Sequence, residues 1–187
     1  MRRLTRLMQA TMVAGVALAV TGCAATMTVG SHVERDLNFA QYRTYDWGPA
    51  DALPTGDPRL DKDPFFKDQV QGAVERQLAS RGLELAASGT PDLRIHYHAN
   101  ITQRIDVNSV DRTYGYCSGD DCRGGVTEYE AGTLVLDLMD ARTNRLVWRG
   151  WAQNSVEDLL DNPDRMARAI DEAVTRMLRQ LPRSLTQ

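Results

Sequence analysis

"TLVLDLMDARTNRLVWRGWAQ", residues 133–153, decides how this chain folds. Leu134, Leu136 and Leu138 recur at every second position, "ARTN" supplies a turn, and "RLVWRGWAQ" returns with aliphatic and aromatic residues set between polar ones. A period of two is that of a strand with one buried face, so the stretch predicts a β-hairpin. Alternation puts Trp148 and Trp151 on opposite faces. One belongs to the core; the other either lies over the sheet or, with Arg149, forms a docking patch, since aromatic residues and arginine are enriched at interfaces. Asp137, Asp140 and Asn144 are expected to fix the turn.

The segment before the hairpin carries the same period. In "DLRIHYHANITQRIDV", residues 92–107, Leu93, Ile95, Tyr97, Ala99 and Ile101 alternate with Arg94, His96, His98 and Asn100, which predicts a strand with one wet face. Two shorter strands are expected earlier, in "MTVGSHVERDL" and "YRTYDWG", joined as a hairpin by a turn around Asn38–Gln41. "GPADALPTGDPRLDKDP" reads as a loop.

Two stretches have helical spacing instead. Asp63 caps and Pro64 opens the first, about residues 64–81, where Phe66, Val70, Ala73, Val74 and Leu78 share a face and Gly82 ends it. Asn162 and Pro163 open the second, with Met166, Ile170, Ala173, Val174, Met177 and Leu181 as its stripe, ending at Pro182. The order β-β-α-β-β-β-α defines an α+β fold: an antiparallel sheet of about five strands with two helices packed on one face. Its other face would be solvated or open to a partner.

The amino terminus says where such a domain is kept. Arg2, Arg3 and Arg6 precede an apolar run, Met12 to Val20, which is about half the roughly 20 residues a membrane-spanning helix needs. This is the layout of a secretory signal. The Arg2–Arg3 pair lacks the hydrophobic and basic residues of a twin-arginine signal after it. Val20-Thr21-Gly22-Cys23 resembles the lipobox of bacterial lipoproteins, which implies removal of residues 1–22 and lipidation of Cys23. Each buried methylene of an acyl chain contributes about 0.8 kcal/mol, and two or more chains hold stably. Ala24, where retained lipoproteins tend to have Asp, points to the outer membrane, periplasmic face.

Removing residues 1–22 from 187 leaves 165, enough for one domain over residues 31–187 on a short tether, residues 23–30. The removed segment holds three of the 22 basic residues and none of the 25 acidic ones, leaving 19 against 25, a net charge of −6. Such a charge disfavours nucleic acid and anionic headgroups as bulk partners. About five residues separate Cys23 from the first strand, a reach of roughly 15–20 Å, so the domain hangs close to its membrane. The two remaining cysteines, Cys117 and Cys122, sit in "YGYCSGDDCRGG" and read as a disulfide that staples a loop. A metal site and a redox pair are alternatives, although redox pairs usually have two intervening residues rather than four.

Three motifs together resemble a known family: "DLNFAQYRTYDW" with Phe39, Tyr42, Thr44, Tyr45 and Trp47; "PDLRIHYH" with Pro91, Asp92 and Leu93; and "GTLVLDLMDARTNRLVWRGWA" with Gly132, Thr133, Leu134, Asp137, Asp140 and Leu146–Gly150. They resemble the bacterial envelope lipoproteins known as domain of unknown function DUF4136, over about residues 28–182. The resemblance implies an α+β fold and an envelope location, brings no established activity, and carries nothing onto the cysteine loop.

No Gly-rich phosphate loop with Lys and Ser or Thr occurs, and no Gly-x-Ser-x-Gly elbow. His96 and His98, at i and i+2, project to one side of a strand, where they could chelate a transition metal with a third ligand such as Asp137. Two histidines on a wet face are more often simply solvated. "LDKDP" and "GDD" lack the spacing of a calcium loop. The expected function is therefore a non-enzymatic, lipid-anchored module that binds another envelope component and needs no cofactor. A ligand- or metal-binding module using His96 and His98 is the second reading, and an unrecognised hydrolase the third.

Overall fold

A computed structural model describes residues 27–34, 38–48, 56–61, 63–107 and 126–182. Six strands form one sheet: β1 (Thr28–Val33), β2 (Thr44–Trp47), β3 (Glu84–Leu85), β4 (Leu93–Val107), β5 (Val126–Asp140) and β6 (Arg145–Ser155). Three helices accompany them: the single turn α1 (Pro58–Asp61), then α2 (Pro64–Ala79) and α3 (Pro163–Leu178). The class is α+β, as the alternation and the helical stripes require.

Both long helices begin as their sequences dictate. The carboxylate of Asp63 accepts from the Phe65 amide at 3.0 Å, and the Asn162 side chain accepts from the Arg165 amide at 3.0 Å. Each thereby satisfies one of the amides that the first helical turn leaves without a partner. Phe66, Val70, Ala73, Val74 and Leu78 of α2 are buried, and so are Ile170, Ala173, Val174, Met177 and Leu178 of α3. These faces meet the inward residues of the sheet, among them Leu93, Ile95, Leu134, Leu136, Leu138 and Trp148. Trp47 donates from Nε1 to Glu75 at 3.0 Å, tying β2 to α2. Gln77 donates to Thr175 Oγ1 at 3.0 Å, tying α2 to α3.

The strand order is β1-β6-β5-β4-β2-β3, and this corrects two expectations. β1 and β2 are not a hairpin: β1 pairs antiparallel with β6, whereas β2 lies beyond β4. The ten residues between them, 34–43, can reach about 33 Å, while four inter-strand steps span only about 19 Å, so chain length permits the crossing. The sheet is also mixed rather than antiparallel, because β2 runs parallel to both β3 and β4. The helical turn α1 falls where a loop was expected, and the two-residue β3 adds a sixth strand in a stretch for which no element was predicted. Both are too short for a periodicity to register.

β4, β5 and β6 form the long antiparallel centre. Their alternation places Arg94, His96, His98 and Asn100 on the face away from the helices. No described element covers that face. Among the described residues no helix is long and apolar enough to cross a membrane. Residues 1–26 and 108–125, with Cys23, Cys117 and Cys122, lie outside the described residues.

Candidate interaction face

Strand register assembles the open face in rows. In the first, His32 of β1 lies opposite Arg149 of β6, Arg149 opposite Asp137 of β5, and Asp137 opposite His96 of β4. The next row runs Gly30, Trp151, Val135, His98, and the one after it Thr28, Gln153, Thr133, Asn100. All three histidines of the chain therefore share this face.

The register depends on a bulge in β6. Leu138 pairs with Trp148 but Met139 pairs with Leu146, leaving Val147 as the extra residue. A bulge of this kind admits one residue without a cross-strand partner. Val147 and Trp148 both enter the core, at 1% and 0% exposure, and Arg149 and Trp151 emerge on the opposite side.

Arg149 meets Asp137 as a fork: Nε and Nη2 each donate at 2.6 Å to the two carboxylate oxygens. The carboxylate is almost wholly buried and the guanidinium half exposed, at 6% and 46%. Asp137 raises the pKa of Arg149 further above its ordinary value. The expectation that Asp137 fixes the turn is thus corrected: Asp137 lies within β5 and serves this pair. Asp140 does hold the turn, accepting from the amides of Arg142 and Thr143 at 3.0 and 2.8 Å, and Asn144 takes the positive φ of 54°.

His98 Nε2 stands 3.9 Å from Asp137 Oδ2, beyond hydrogen-bond range. Burial lowers the pKa of His96, reinforced by His98 and Arg94 and opposed by Asp137. His96 and His98 do flank Asp137, as the metal reading supposed, but that carboxylate is already taken by Arg149. No group of three or more His, Cys, Asp or Glu side chains among the described residues is arranged to hold a metal ion.

Two rings lie over glycines at the sides of this cluster. A Cβ placed on Gly30 would overlap the six-membered ring of Trp151, and one on Gly48 would overlap the imidazole of His96. Trp151 nonetheless remains 37% exposed, its outer surface open to solvent. The cluster thus sets an accessible indole beside an Arg–Asp fork whose geometry is fixed. Sequence reasoning singled out Arg149, Trp151, His96 and His98, and the fold brings them together. It missed His32 and the two glycines, whose places follow from distant strand pairing.

Opposite this face, between sheet and helices, lies an apolar cavity of about 70 Å³ near Met27, Phe66, Leu134 and Met166. It is well below the roughly 300–1,000 Å³ of small-molecule sites.

A mixed six-stranded sheet with its helices on one face and a polar–aromatic patch on the other defines an α+β domain of the open-faced kind. The chain belongs to the family described as Domain of unknown function (DUF4136), which it matches over residues 29–183. Among solved structures it is similar to a DUF4136 family protein from Bacteroides thetaiotaomicron: 14% identity, TM-score 0.53, covering 88% of this chain and 100% of that one. It is also similar to a PDZ domain protein from Parabacteroides distasonis, at 16% identity and a TM-score of 0.51, covering 87% of this chain. This chain spans only 37% of that protein's length. A PelC dodecamer from Paraburkholderia phytofirmans matches at 10% identity and a TM-score of 0.46, covering 82% of this chain and 95% of that one. At such identities the likeness concerns the fold alone. No curated protein matches the sequence.

Proposed function

We propose that this protein is a non-enzymatic, lipid-anchored envelope module. In this reading the signal, residues 1–22, is removed, Cys23 carries the lipid, and the domain faces the periplasm from the outer membrane. There it binds another envelope protein through the open sheet face, with Trp151 and Arg149 at the centre of contact. The observation that carries the reading is the exposed Trp151 beside the fixed Arg149–Asp137 fork, on a face that no described element covers.

The tether supports it. Thr28 begins β1 and pairs with Gln153, two positions from Trp151. Seven residues from Cys23 thus keep Gly30, the cross-strand partner of Trp151, within roughly 25 Å of the lipid, a distance suited to a partner in or beside the same membrane.

Two measurements test the two halves. Radiolabelled palmitate is expected to mark the wild-type protein in cells and not Cys23→Ser, and an unlabelled wild type refutes the anchor. A photocrosslinking amino acid in place of Trp151 is expected to capture a discrete envelope protein. The same group in place of Phe65, exposed on the helical side, is expected to capture none. Equal capture at both positions, or none at 151, refutes the binding face.

A further inference from the structure

Met27, immediately before β1, is 7% exposed and stands in the wall of the apolar cavity between sheet and helices. The chain therefore leaves the domain toward Cys23 from inside that wall. Leu60, Phe66 and Ile170 form other parts of it, and the partly buried Leu160 and Met166 carry it to the surface. Phe66 and Met166 belong to the first turns of α2 and α3, so the cavity sits where both helices begin.

Size and chemistry select the occupant. At about 10–15 Å³ for each water-sized sphere, the cavity of about 70 Å³ seats roughly five of them. That suits the last carbons of an unbranched chain. None of the described residues in the lining is charged, so nothing there holds a headgroup. A free lipid would be held by a few methylene groups alone. A chain already attached nearby needs far less affinity, because a short flexible tether gives an effective concentration of about millimolar.

Cys23 supplies that attachment. Four residue steps separate it from Met27, a span of at most about 14 Å. Ala24, Ala25 and Thr26 have side chains too short to fill the cavity themselves. A fatty chain that exchanges bilayer hydrocarbon for this site loses no apolar burial, and it supplies contacts that the lining atoms of a cavity lack on one side.

We propose that one fatty chain of the lipid on Cys23 folds back and seats its methyl end in this cavity, while the rest of the lipid stays in the bilayer. The end of the domain where α2 and α3 begin is thereby held against the membrane. The assignment rests on the anchor at Cys23 and not on the open sheet face.

Cells fed a palmitate analogue with a diazirine at its methyl end test it. After irradiation the full-length lipidated protein is purified and digested, and mass spectrometry locates the crosslink. The expected product joins the lipid on Cys23 to a peptide of the same chain that contains Leu160 or Met166. Ala173→Leu, which fills the cavity from α3, is expected to abolish that product with incorporation of the analogue unchanged. Ala169→Leu repeats the test from a neighbouring position, and the melting temperature of each variant separates a filled cavity from a lost fold. Incorporation followed by crosslinks to bilayer lipid or to another protein, with none to the cavity lining, overturns the proposal and leaves the anchor standing. So does a product that persists in both filling variants. Absence of incorporation at Cys23 overturns the anchor and the proposal together.

Discussion

Arg149 and Asp137 face each other across β6 and β5, joined by two hydrogen bonds of 2.6 Å, and only the arginine reaches water. The consequence of breaking the pair is therefore unequal. Arg149→Leu strands a buried carboxylate and is expected to cost about 3 kcal/mol, in the range found when one partner of a buried pair is removed. Asp137→Leu frees a half-exposed guanidinium that water can solvate, and is expected to cost less than about 1.5 kcal/mol. Urea unfolding of the two variants ranks them; the reverse order would mean that the carboxylate has another source of solvation.

Acid stability should fall in two windows with separate owners. Burial tends to raise the pKa of Asp140, but hydrogen bonds from the Thr143 and Arg142 amides, the Thr143 side chain and the Tyr42 hydroxyl outweigh it and hold the carboxyl below its ordinary range. A depressed carboxylate contributes stability above its unfolded pKa, near 3.8, and loses it as pH falls through the folded value. The pKa of His96 is lowered mainly by burial, so the unfolded chain takes up the proton first and stability declines as pH drops below about 6.5. Asp140→Asn is expected to flatten the stability profile below pH 4, and His96→Gln the profile just below pH 6.5. Unchanged slopes in denaturation curves across pH would show that these groups titrate alike folded and unfolded.

Much of this architecture is legible in the chain, and physics sorts the part that is not. Leu134–Leu138 and Leu93–Ile101 announce their strands because alternation is a local signal, and Asp63-Pro64 and Asn162-Pro163 announce helix starts because capping is local. The pairing of β1 with β6 is not local: residues 28–33 have the same pattern whichever edge they join. His32 and Gly30 consequently reach the open face through a contact that separates them from their partners by more than a hundred positions. The parallel β2–β4 pairing is equally silent, since parallel and antiparallel strands differ in hydrogen-bond slant and not in side-chain period.

Gly30 should tolerate no side chain without moving an indole. Its Cβ position coincides with the six-membered ring of Trp151, and its own backbone has no positive φ to explain the glycine. Gly30→Val is expected to expel the ring toward solvent, to red-shift the tryptophan emission and to cost about 1–3 kcal/mol, as overpacking does. Emission identical to wild type would place the ring elsewhere.

Trp148 has a buried indole N–H with no acceptor among the described residues. An unsatisfied buried donor carries a penalty of about 1–3 kcal/mol, comparable to what is lost when one ring of a core side chain is trimmed. The two effects oppose each other in Trp148→Phe, which is expected to change stability by less than about 1.5 kcal/mol. Trp148→Ala, with the whole ring system gone, is expected to cost about 3–5 kcal/mol. Thermal or urea unfolding that gave equal losses would mean the N–H is satisfied.

The single extra residue in β6 decides which face of the sheet presents Arg149 and which buries Trp148. The turn starts the hairpin with Asp140 opposite Arg145; continued without interruption, that register would set Leu136 opposite Arg149 and Asp137 opposite Trp148. Because facing residues share a side, the arginine would then point into the core and the tryptophan into water. Val147 shifts the register by one, so that Asp137 meets Arg149 and Leu138 meets Trp148. Deleting Val147 should therefore do far more harm than trimming it. Val147→Ala removes two buried methyl groups and is expected to cost about 2 kcal/mol with the near-ultraviolet signal of Trp148 retained. The deletion forces either a broken turn or an inverted β6, and is expected to abolish cooperative unfolding. A deletion variant that melts cooperatively with native tryptophan signals would show that the turn, rather than the bulge, absorbs the register.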